Sequence, residues 1–144
     1  MALAAIFFIS LTATAQIRDI PKEVRQTFER QYPMATQVEF KDQLIRIDVQ
    51  FILDSNRYVA MYSNKGVWKE TDKEWSFEQL PEDVQSGFEK SKYADDEWDV
   101  KETVVVYLPG GGEQYRIKVE KNELQKKYLF FNKKGRLIRD SITL

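Results

Sequence analysis

Apolar side chains recur every fourth residue at two places in the chain, and each place predicts a short helix. This spacing puts the apolar side chains on one face of an α-helix. The first stripe is Ile20, Val24, Phe28 and Tyr32. Pro21 suits the first helical turn, and Pro33 ends the helix because the residue before a proline resists helical geometry. The second stripe, which again begins beside a proline, is Leu80, Val84 and Phe88.

After each helix the pattern changes to alternating apolar and polar residues, which is the period of a half-buried β-strand. Ile47, Val49 and Phe51 show it most clearly, since they alternate with charged or amide side chains. Turn residues such as Asn64-Lys65-Gly66 and Lys133-Lys134-Gly135 separate the predicted strands. These strands cover residues 37–40, 45–53, 57–63, 67–71, 98–108, 114–120, 127–131 and 136–141.

The two halves of the chain carry the same signals in the same order. Ile20 and Leu80, at the helix starts, lie 60 positions apart, and the turn glycines Gly66 and Gly135 lie 69 apart. Repetition on this scale is typical of one supersecondary unit used twice. The sequence therefore predicts an α+β fold of two tandem helix-plus-four-strand repeats, forming a roughly eight-stranded antiparallel sheet with both helices on one face. The predicted repeats span residues 16–71 and 80–144, with a packed connector at residues 72–79.

The first fifteen residues carry no charged side chain and predict a signal peptide. Met1 to Leu11 is an apolar run, and Ala13-Thr14-Ala15 before Gln16 fits a small-x-small cleavage site. The run is too short to span a bilayer as a helix. We therefore expect a bacterial chain that is periplasmic or secreted after cleavage near Ala15-Gln16, with no membrane span in its mature form. A signal peptide should begin with Lys or Arg, so we expect a true start a few codons upstream, the alternative being an uncleaved or internal segment.

The composition excludes several classes of function. The chain has no cysteine and no histidine, and its net charge is −1 with both signs mixed along the sequence. Disulfides, thiol chemistry, zinc–thiolate sites and histidine-based catalytic sites are therefore excluded. We expect no cofactor and no metal. The charge balance gives no electrostatic reason to expect nucleic acid or an anionic membrane as a partner.

Several of these features together resemble the PepSY-like family, which is also described as β-lactamase-inhibitor-like. They are the proline-started helices, the Tyr32-Pro33 terminus, the tyrosine-rich strands and the Asn-Lys-Gly-x-Trp hairpin at Asn64–Trp68. The resemblance covers about Ile20 to Ser141 and departs at Lys92-Tyr93-Ala94, where Tyr-Pro would be expected. It implies tandem α-β4 units in small exported proteins, mostly of Bacteroidetes-type bacteria, with no known enzymatic activity. Inhibition of a β-lactamase is implied only through a shared fold, and fold does not transmit function.

Three local patterns could carry chemistry, and each has a simpler structural interpretation. Asp95-Asp96-Glu97 with Asp99 could bind calcium, but the spacing does not fit a calcium loop, and crowded acids favour solvent. Gly110-Gly111-Gly112 precedes a strand instead of a helix, which indicates a hairpin tip and not a phosphate-binding loop. The lysine-rich stretches at residues 121–127 and 133–136 are diluted by acids and are typical of turns and edge strands.

Aromatic side chains are the strongest candidates for a binding function. The chain has seven tyrosines and three tryptophans, and these residue types dominate binding hot spots. Alternation along the strands is expected to place some of them on the sheet face away from the helices, unless most serve as core or cross-strand pairs. The predicted partner-binding residues are Tyr58, Tyr62, Trp68, Tyr115 and Tyr128.

The leading hypothesis is an exported, non-enzymatic binding module that recognises an unidentified envelope or extracellular protein through its sheet face, as an inhibitor or scaffold. The alternative is a periplasmic carrier of a small ligand or of calcium, based on the acidic cluster and on a cleft between the repeats. A third hypothesis is an enzyme that uses carboxylates alone, such as a glycosidase, which needs two carboxylates about 5–10 Å apart in a groove. The sequence predicts neither the identity of the partner nor the oligomeric state.

Overall fold

The computed structural model describes residues 18–142, which form two α-helices, a short 3-10 helix and one eight-stranded sheet. The signal peptide predicted at residues 1–15 lies outside these residues. None of the helices among them is long and apolar enough to cross a membrane. The helices are α1 (Lys22–Gln31) and α2 (Glu82–Glu89), and the 3-10 helix is Phe77–Gln79. The strands are β1 (Thr36–Asp42), β2 (Arg46–Leu53), β3 (Asn56–Ser63), β4 (Trp68–Glu74), β5 (Asp99–Tyr107), β6 (Glu113–Glu120), β7 (Lys126–Phe131) and β8 (Leu137–Ile142).

Every strand pairs with its neighbours in chain order, and every pairing is antiparallel. The predicted α+β class, with one eight-stranded sheet and two helices, is confirmed. The β4–β5 ladder joins the two halves, from Thr71 opposite Tyr107 to Glu74 opposite Val104. Residues 72–74, predicted as the start of the connector, therefore lie in the sheet. That the two halves are repeats of one unit stays a prediction.

The register places the two helices on the same side of the sheet. Val24 and Phe28 of α1 pack in a buried cluster with Ile47, Val49 and Ala60. Residues opposite each other in an antiparallel ladder share a face, so the ladders carry this face across the sheet from strand to strand. We call this side the helix face and the opposite side the open face.

The second helix packs against the same face further along the sheet. Thr71 lies opposite Ala60 on one side and opposite Tyr107 on the other. Val105, two residues before Tyr107, belongs to the buried cluster of α2. That cluster contains Val84 and Phe88 from the helix and Tyr115, Ile117, Val119, Leu129 and Phe131 from the sheet. Both apolar stripes predicted from the sequence are thus buried on one side of the sheet.

Each helix touches a hairpin turn at a glycine. A Cβ on Gly87 of α2 would collide with the carbonyl oxygen of Gly135 in the β7–β8 turn. In the β3–β4 turn, a Cβ on Gly66 would lie 2.7 Å from the carbonyl carbon of Glu23 in α1. The helix positions therefore depend on backbone-to-backbone contact as well as on the apolar clusters.

Candidate functional site

The open face carries a shallow groove of about 630 Å³ that crosses strands β2 to β7. Its floor alternates apolar and charged side chains because the ladder sets them in rows. Asp72 of β4 lies between Val59 of β3 and Val106 of β5 in one such row. In the neighbouring row, Val104 of β5 lies opposite Arg116 of β6. Buried ionisable groups between apolar neighbours make this groove the strongest candidate site in the described part of the chain.

An ion-pair cluster lies at the centre of the groove. Nη2 of Arg116 donates to Oδ2 of Asp72 at 2.7 Å and to Oε1 of Glu102 at 3.1 Å. The Asp72 side chain is 5% exposed and the Arg116 side chain is 14% exposed, whereas Glu102 is 41% exposed. One guanidinium nitrogen therefore serves two carboxylates, one buried and one in contact with solvent.

The cluster is left with polar atoms that have no protein partner. Oδ1 of Asp72 and Nε of Arg116 are buried and form no hydrogen bond with any residue in 18–142. A self-contained arginine–aspartate pair would normally use the two parallel hydrogen bonds that both groups offer. The pair in the groove uses one, so that an acceptor on Asp72 remains unused.

Burial controls the ionisation of Asp72. Desolvation raises the pKa of Asp72 to about 6, because the charge of Arg116 offsets only part of that penalty while Glu70 and Glu102 add to it. Burial alone would lower the pKa of Arg116, but the carboxylates of Asp72 and Glu102 outweigh it and raise that pKa. The Asp72 shift therefore comes mainly from burial, and the Arg116 shift comes from the carboxylates around it.

A second ion pair lies at the β2 side of the groove. Nε of Arg46 lies 2.9 Å from Oδ1 of Asp48, and Nη2 of Arg46 donates to Oδ2 at 3.2 Å. Asp48 is buried, as Asp72 is, and its Oδ1 also accepts no hydrogen bond from the described residues. The two aspartates differ in that Arg46 pairs with Asp48 alone, whereas Arg116 is shared between Asp72 and Glu102.

Two aromatic rings on the open face are covered by cations. The Arg116 guanidinium lies 4.9 Å from the centre of the Tyr128 ring, and Nζ of Lys118 lies 6.0 Å from it. The Arg139 guanidinium lies 4.0 Å from the centre of the Phe130 ring. Such cation–π contacts hold the charged groups in place over the rings. The open face thus combines aromatic area with fixed charges.

Of the five predicted partner-binding residues, only Tyr128 belongs to the open face by register. Tyr58 stacks on Phe51 on the helix face, with ring centres 5.3 Å apart, and also lines the edge of the groove. The structure therefore brings Tyr128 and the edge of Tyr58 to the same groove.

The other three predicted residues lie on the helix face. Tyr62 is fully buried and donates its hydroxyl to Oε1 of Gln31 in α1 at 2.6 Å. Tyr115 is 5% exposed within the cluster of α2. Trp68 is half-buried and donates from Nε1 to Oγ1 of Thr71 at 2.8 Å. A partner that reached Tyr62 or Tyr115 would have to displace a helix, so we place these side chains in the core. The binding role expected for the five aromatic residues stays a prediction.

The other patterns found in the sequence lie in turns and at the adjoining ends of strands. Oδ1 of Asp95 accepts a hydrogen bond from the backbone N–H of Glu97 at 3.0 Å, Glu97 pairs with Lys121, and Asp99 lies 3.6 Å from Lys101. Within residues 18–142, no three acidic side chains converge where they could hold a metal ion. Gly110 and Gly111 form the turn between β5 and β6, so a strand follows them.

Sequence analysis missed the central cluster of the groove. It assigned no role to Asp72, Glu102 or Arg116. Arg116 did carry a signal, because it alternates with Tyr115 and Ile117 and must therefore point away from the face that they bury. Nothing in the sequence indicated that Asp72 is buried, because its neighbours at residues 69–74 are mostly charged.

Comparison with known proteins identifies a family. The family described as "Putative beta-lactamase-inhibitor-like, PepSY-like" matches residues 46–139. This range runs from the start of β2 into β8 and includes the whole β4–β5 junction and all the residues of the central cluster. The chain matches no curated protein sequence.

Solved structures from Bacteroides species share the fold. A DUF2874 family protein from Bacteroides ovatus is 24% identical, with a TM-score of 0.76, and the match covers 87% of this chain and 89% of that chain. A BLIP-like protein from Bacteroides fragilis is 20% identical, with a TM-score of 0.75 and 89% of each chain covered. A protein from Bacteroides eggerthii, named as "putative periplasmic", is 19% identical, with a TM-score of 0.74, covering 87% of this chain and 90% of that chain. At these identities the likeness establishes the fold alone.

Proposed function

The chain belongs to the PepSY-like, β-lactamase-inhibitor-like family, and on this premise we propose that it is an exported, non-enzymatic module that binds another protein through its open face. One observation carries the proposal. Both helices cover the same side of the eight-stranded sheet, while the other side presents a groove with fixed charges and aromatic rings. Because the helices cover only one face of the sheet, the groove on the other face is available for a partner.

The size of the open face suits a protein partner. Adjacent strands lie about 4.8 Å apart and each residue adds about 3.3 Å, so eight strands of this length span roughly 35 Å by 25 Å. A standard protein–protein interface buries about 800 Å² on each partner. The open face is therefore about as large as one such interface, and a bound partner would be held or sterically blocked without a chemical step, as an inhibitor or a scaffold requires.

The geometry of the carboxylates favours binding over catalysis. Asp72 and Glu102 come close enough to satisfy the spacing of a carboxylate pair, because both contact the same nitrogen of Arg116. That guanidinium occupies the space between the two carboxylates, where a glycosidic bond would have to lie in a carboxylate-only enzyme. The pair thus acts as a structural ion-pair cluster on the open face.

Two variants with the same charge change test the location of the binding surface. The purified chain is immobilised, exposed to envelope and secreted fractions of its native host, and the captured protein is identified by mass spectrometry. Arg57 lines the groove and is exposed, whereas Arg30 is exposed on α1. We expect Arg57→Glu to weaken capture of the identified protein about tenfold, the size of a like-charge contact at an interface, and Arg30→Glu to leave it unchanged. Equal loss in both variants, or loss in Arg30→Glu alone, would contradict the proposal.

A further inference from the structure

The carboxylates around Asp72 outnumber the positive groups that could balance them. Asp72 and Glu102 share Arg116, and Glu70, whose charge acts on Asp72, forms no ion pair with any residue in 18–142. Three carboxylates against one guanidinium leave two negative charges without a counterion when all are ionised. Burying a charge without a partner is costly, so the groove gains stability from any cation that enters it.

The remaining charged groups along the groove do not supply that cation. Arg46 pairs with Asp48, and Lys101 lies 3.6 Å from Asp99. Lys118 lies opposite Glu102 in the β5–β6 ladder, but its ion pair is with Glu120, at 3.4 Å. Arg57 and Glu74 are exposed and carry opposite charges. The carboxylates that lack sufficient positive charge nearby are therefore Asp72, Glu70 and Glu102.

The unused acceptor on Asp72 shows which kind of group is missing. Its side chain is 5% exposed, lines the groove and keeps Oδ1 without a hydrogen-bond donor among the described residues. Val59 and Val106 flank it in the sheet, and apolar walls strengthen any charge-assisted hydrogen bond formed between them. The group that fits is a planar cation with several N–H donors.

We propose that the groove receives an arginine side chain of the bound protein, whose guanidinium donates to the carboxylate of Glu70 and, once the Asp72 carboxylate turns its buried Oδ1 toward the groove, to Asp72. Asp72 and Glu70 are two residues apart on β4 and face the same side, about 7 Å apart along the strand, a span that the forked donors of a guanidinium bridge. The inference rests on the proposed function, because it names the chemistry that the partner presents to the open face.

A pair of small molecules tests the site without knowledge of the partner. N-acetylarginine amide is the probe, and N-acetylcitrulline amide, which has nearly the same shape without the charge, is its control. Both are titrated into the ¹⁵N-labelled chain and followed by backbone amide shifts. We expect saturable shifts centred on β4 and β5 with the arginine amide and none with the citrulline amide. Equal shifts with both compounds, or no shifts with either, would overturn the inference.

Two variants assign the binding to Asp72. Asp72→Asn should weaken the arginine amide about tenfold, since a hydrogen bond to a charged group is worth that factor or more. Asp83→Asn, which makes the same change at an exposed position of α2 outside the groove, should bind it like the unaltered chain. If Asp72→Asn does not give a folded spectrum, Glu70→Gln replaces it, because Glu70 is only half-buried and forms no ion pair in the described part of the chain. Unchanged affinity in the folded variant would contradict the assignment.

The two proposals fail in different ways. If Arg57→Glu loses the captured protein while the arginine amide causes no shifts, the open face binds a partner by other chemistry and only this inference falls. If the arginine amide binds at Asp72 while Arg57→Glu and Arg30→Glu capture the protein equally well, the site exists and the proposed function falls.

Discussion

Asp72 shows how one residue can contribute to a surface at the expense of fold stability. It is buried beside a single shared guanidinium, and burial raises its pKa to about 6 from an ordinary 3.8. A folded chain with this shift binds more protons than the unfolded chain between these two pH values. Its free energy of unfolding therefore falls as pH rises through that range. A positively charged ligand in the groove would offset the charge of Asp72 and so compensate this loss of stability.

The pH dependence of this cost can be measured. We expect the Asp72 contribution to the free energy of unfolding to fall by up to ~3 kcal/mol between pH 3.8 and about 6, because a shift of one pKa unit is worth about 1.4 kcal/mol. Denaturant unfolding of the unaltered chain and of Asp72→Asn should show the variant gaining relative stability as pH rises from 4 to 7. Comparing the two chains isolates Asp72 from Asp42 and Asp140, whose pKa values are lowered. A difference between the chains that does not change with pH would refute this account of Asp72.

Tyr128 and Tyr62 illustrate the difference between the two faces at the level of single side chains. Tyr128 lies under the Arg116 guanidinium on the open face, whereas Tyr62 lies on the helix face and its hydroxyl donates a hydrogen bond to Gln31 of α1. We expect Tyr62→Phe to lower the free energy of unfolding by about 1 kcal/mol, the usual worth of one hydrogen bond, without changing capture of the partner. Tyr128→Phe should leave the free energy of unfolding unchanged, because phenylalanine keeps the ring that contacts the Arg116 guanidinium. Thermal unfolding and capture measured together test both, and lost capture in a stable Tyr62→Phe chain would contradict the placement of Tyr62.

At the level of elements, the contact between α2 and the β7–β8 turn decides where the second helix lies. An alanine usually stabilises a helix by roughly 1 kcal/mol relative to glycine. At Gly87 we expect the opposite sign, because its Cβ would collide with the backbone of Gly135. Gly87→Ala should cost about 2 kcal/mol or more, as overpacking does. Ser86→Ala, one position earlier in α2, is the control and should be close to neutral. Denaturant unfolding measures both, and a stabilised Gly87→Ala chain would show that the contact does not hold the helix.

The elements themselves could be predicted from the sequence because their signals are local. Prolines and four-residue spacing predicted both helices, and alternation and turn residues predicted the strands to within about three residues of their observed ends. The faces of some strands were also readable. In β6, Tyr115 and Ile117 alternate with Arg116, so that one set is apolar and the other is polar.

The faces of other strands could not be predicted from a single sequence. In β3, Tyr58 and Tyr62 alternate with Val59 and Met61, and both sets can be buried. The choice depends on which set meets α1, and that contact joins residues far apart in the chain. The burial of Asp72 could not be predicted for the same reason. It arises from the strands on either side of β4 and from Arg116, which is 44 residues away in the chain.

At the scale of the whole molecule, the sheet has one face covered by the helices and one face with an exposed groove. The helix face buries the apolar clusters of both helices, and the open face keeps charges, aromatic rings and an unused acceptor in one groove.

A photo-crosslinking amino acid placed on each side of the sheet tests the binding role proposed for the open face most directly. Glu74 lines the groove and Glu89 ends α2, and both are exposed glutamates. Benzoylphenylalanine is introduced at one position at a time, and the chain is irradiated in cells of its native host. We predict a covalent adduct to one specific protein from position 74 and none from position 89. An adduct from position 89, or none from position 74, would contradict the claim that the open face binds a partner.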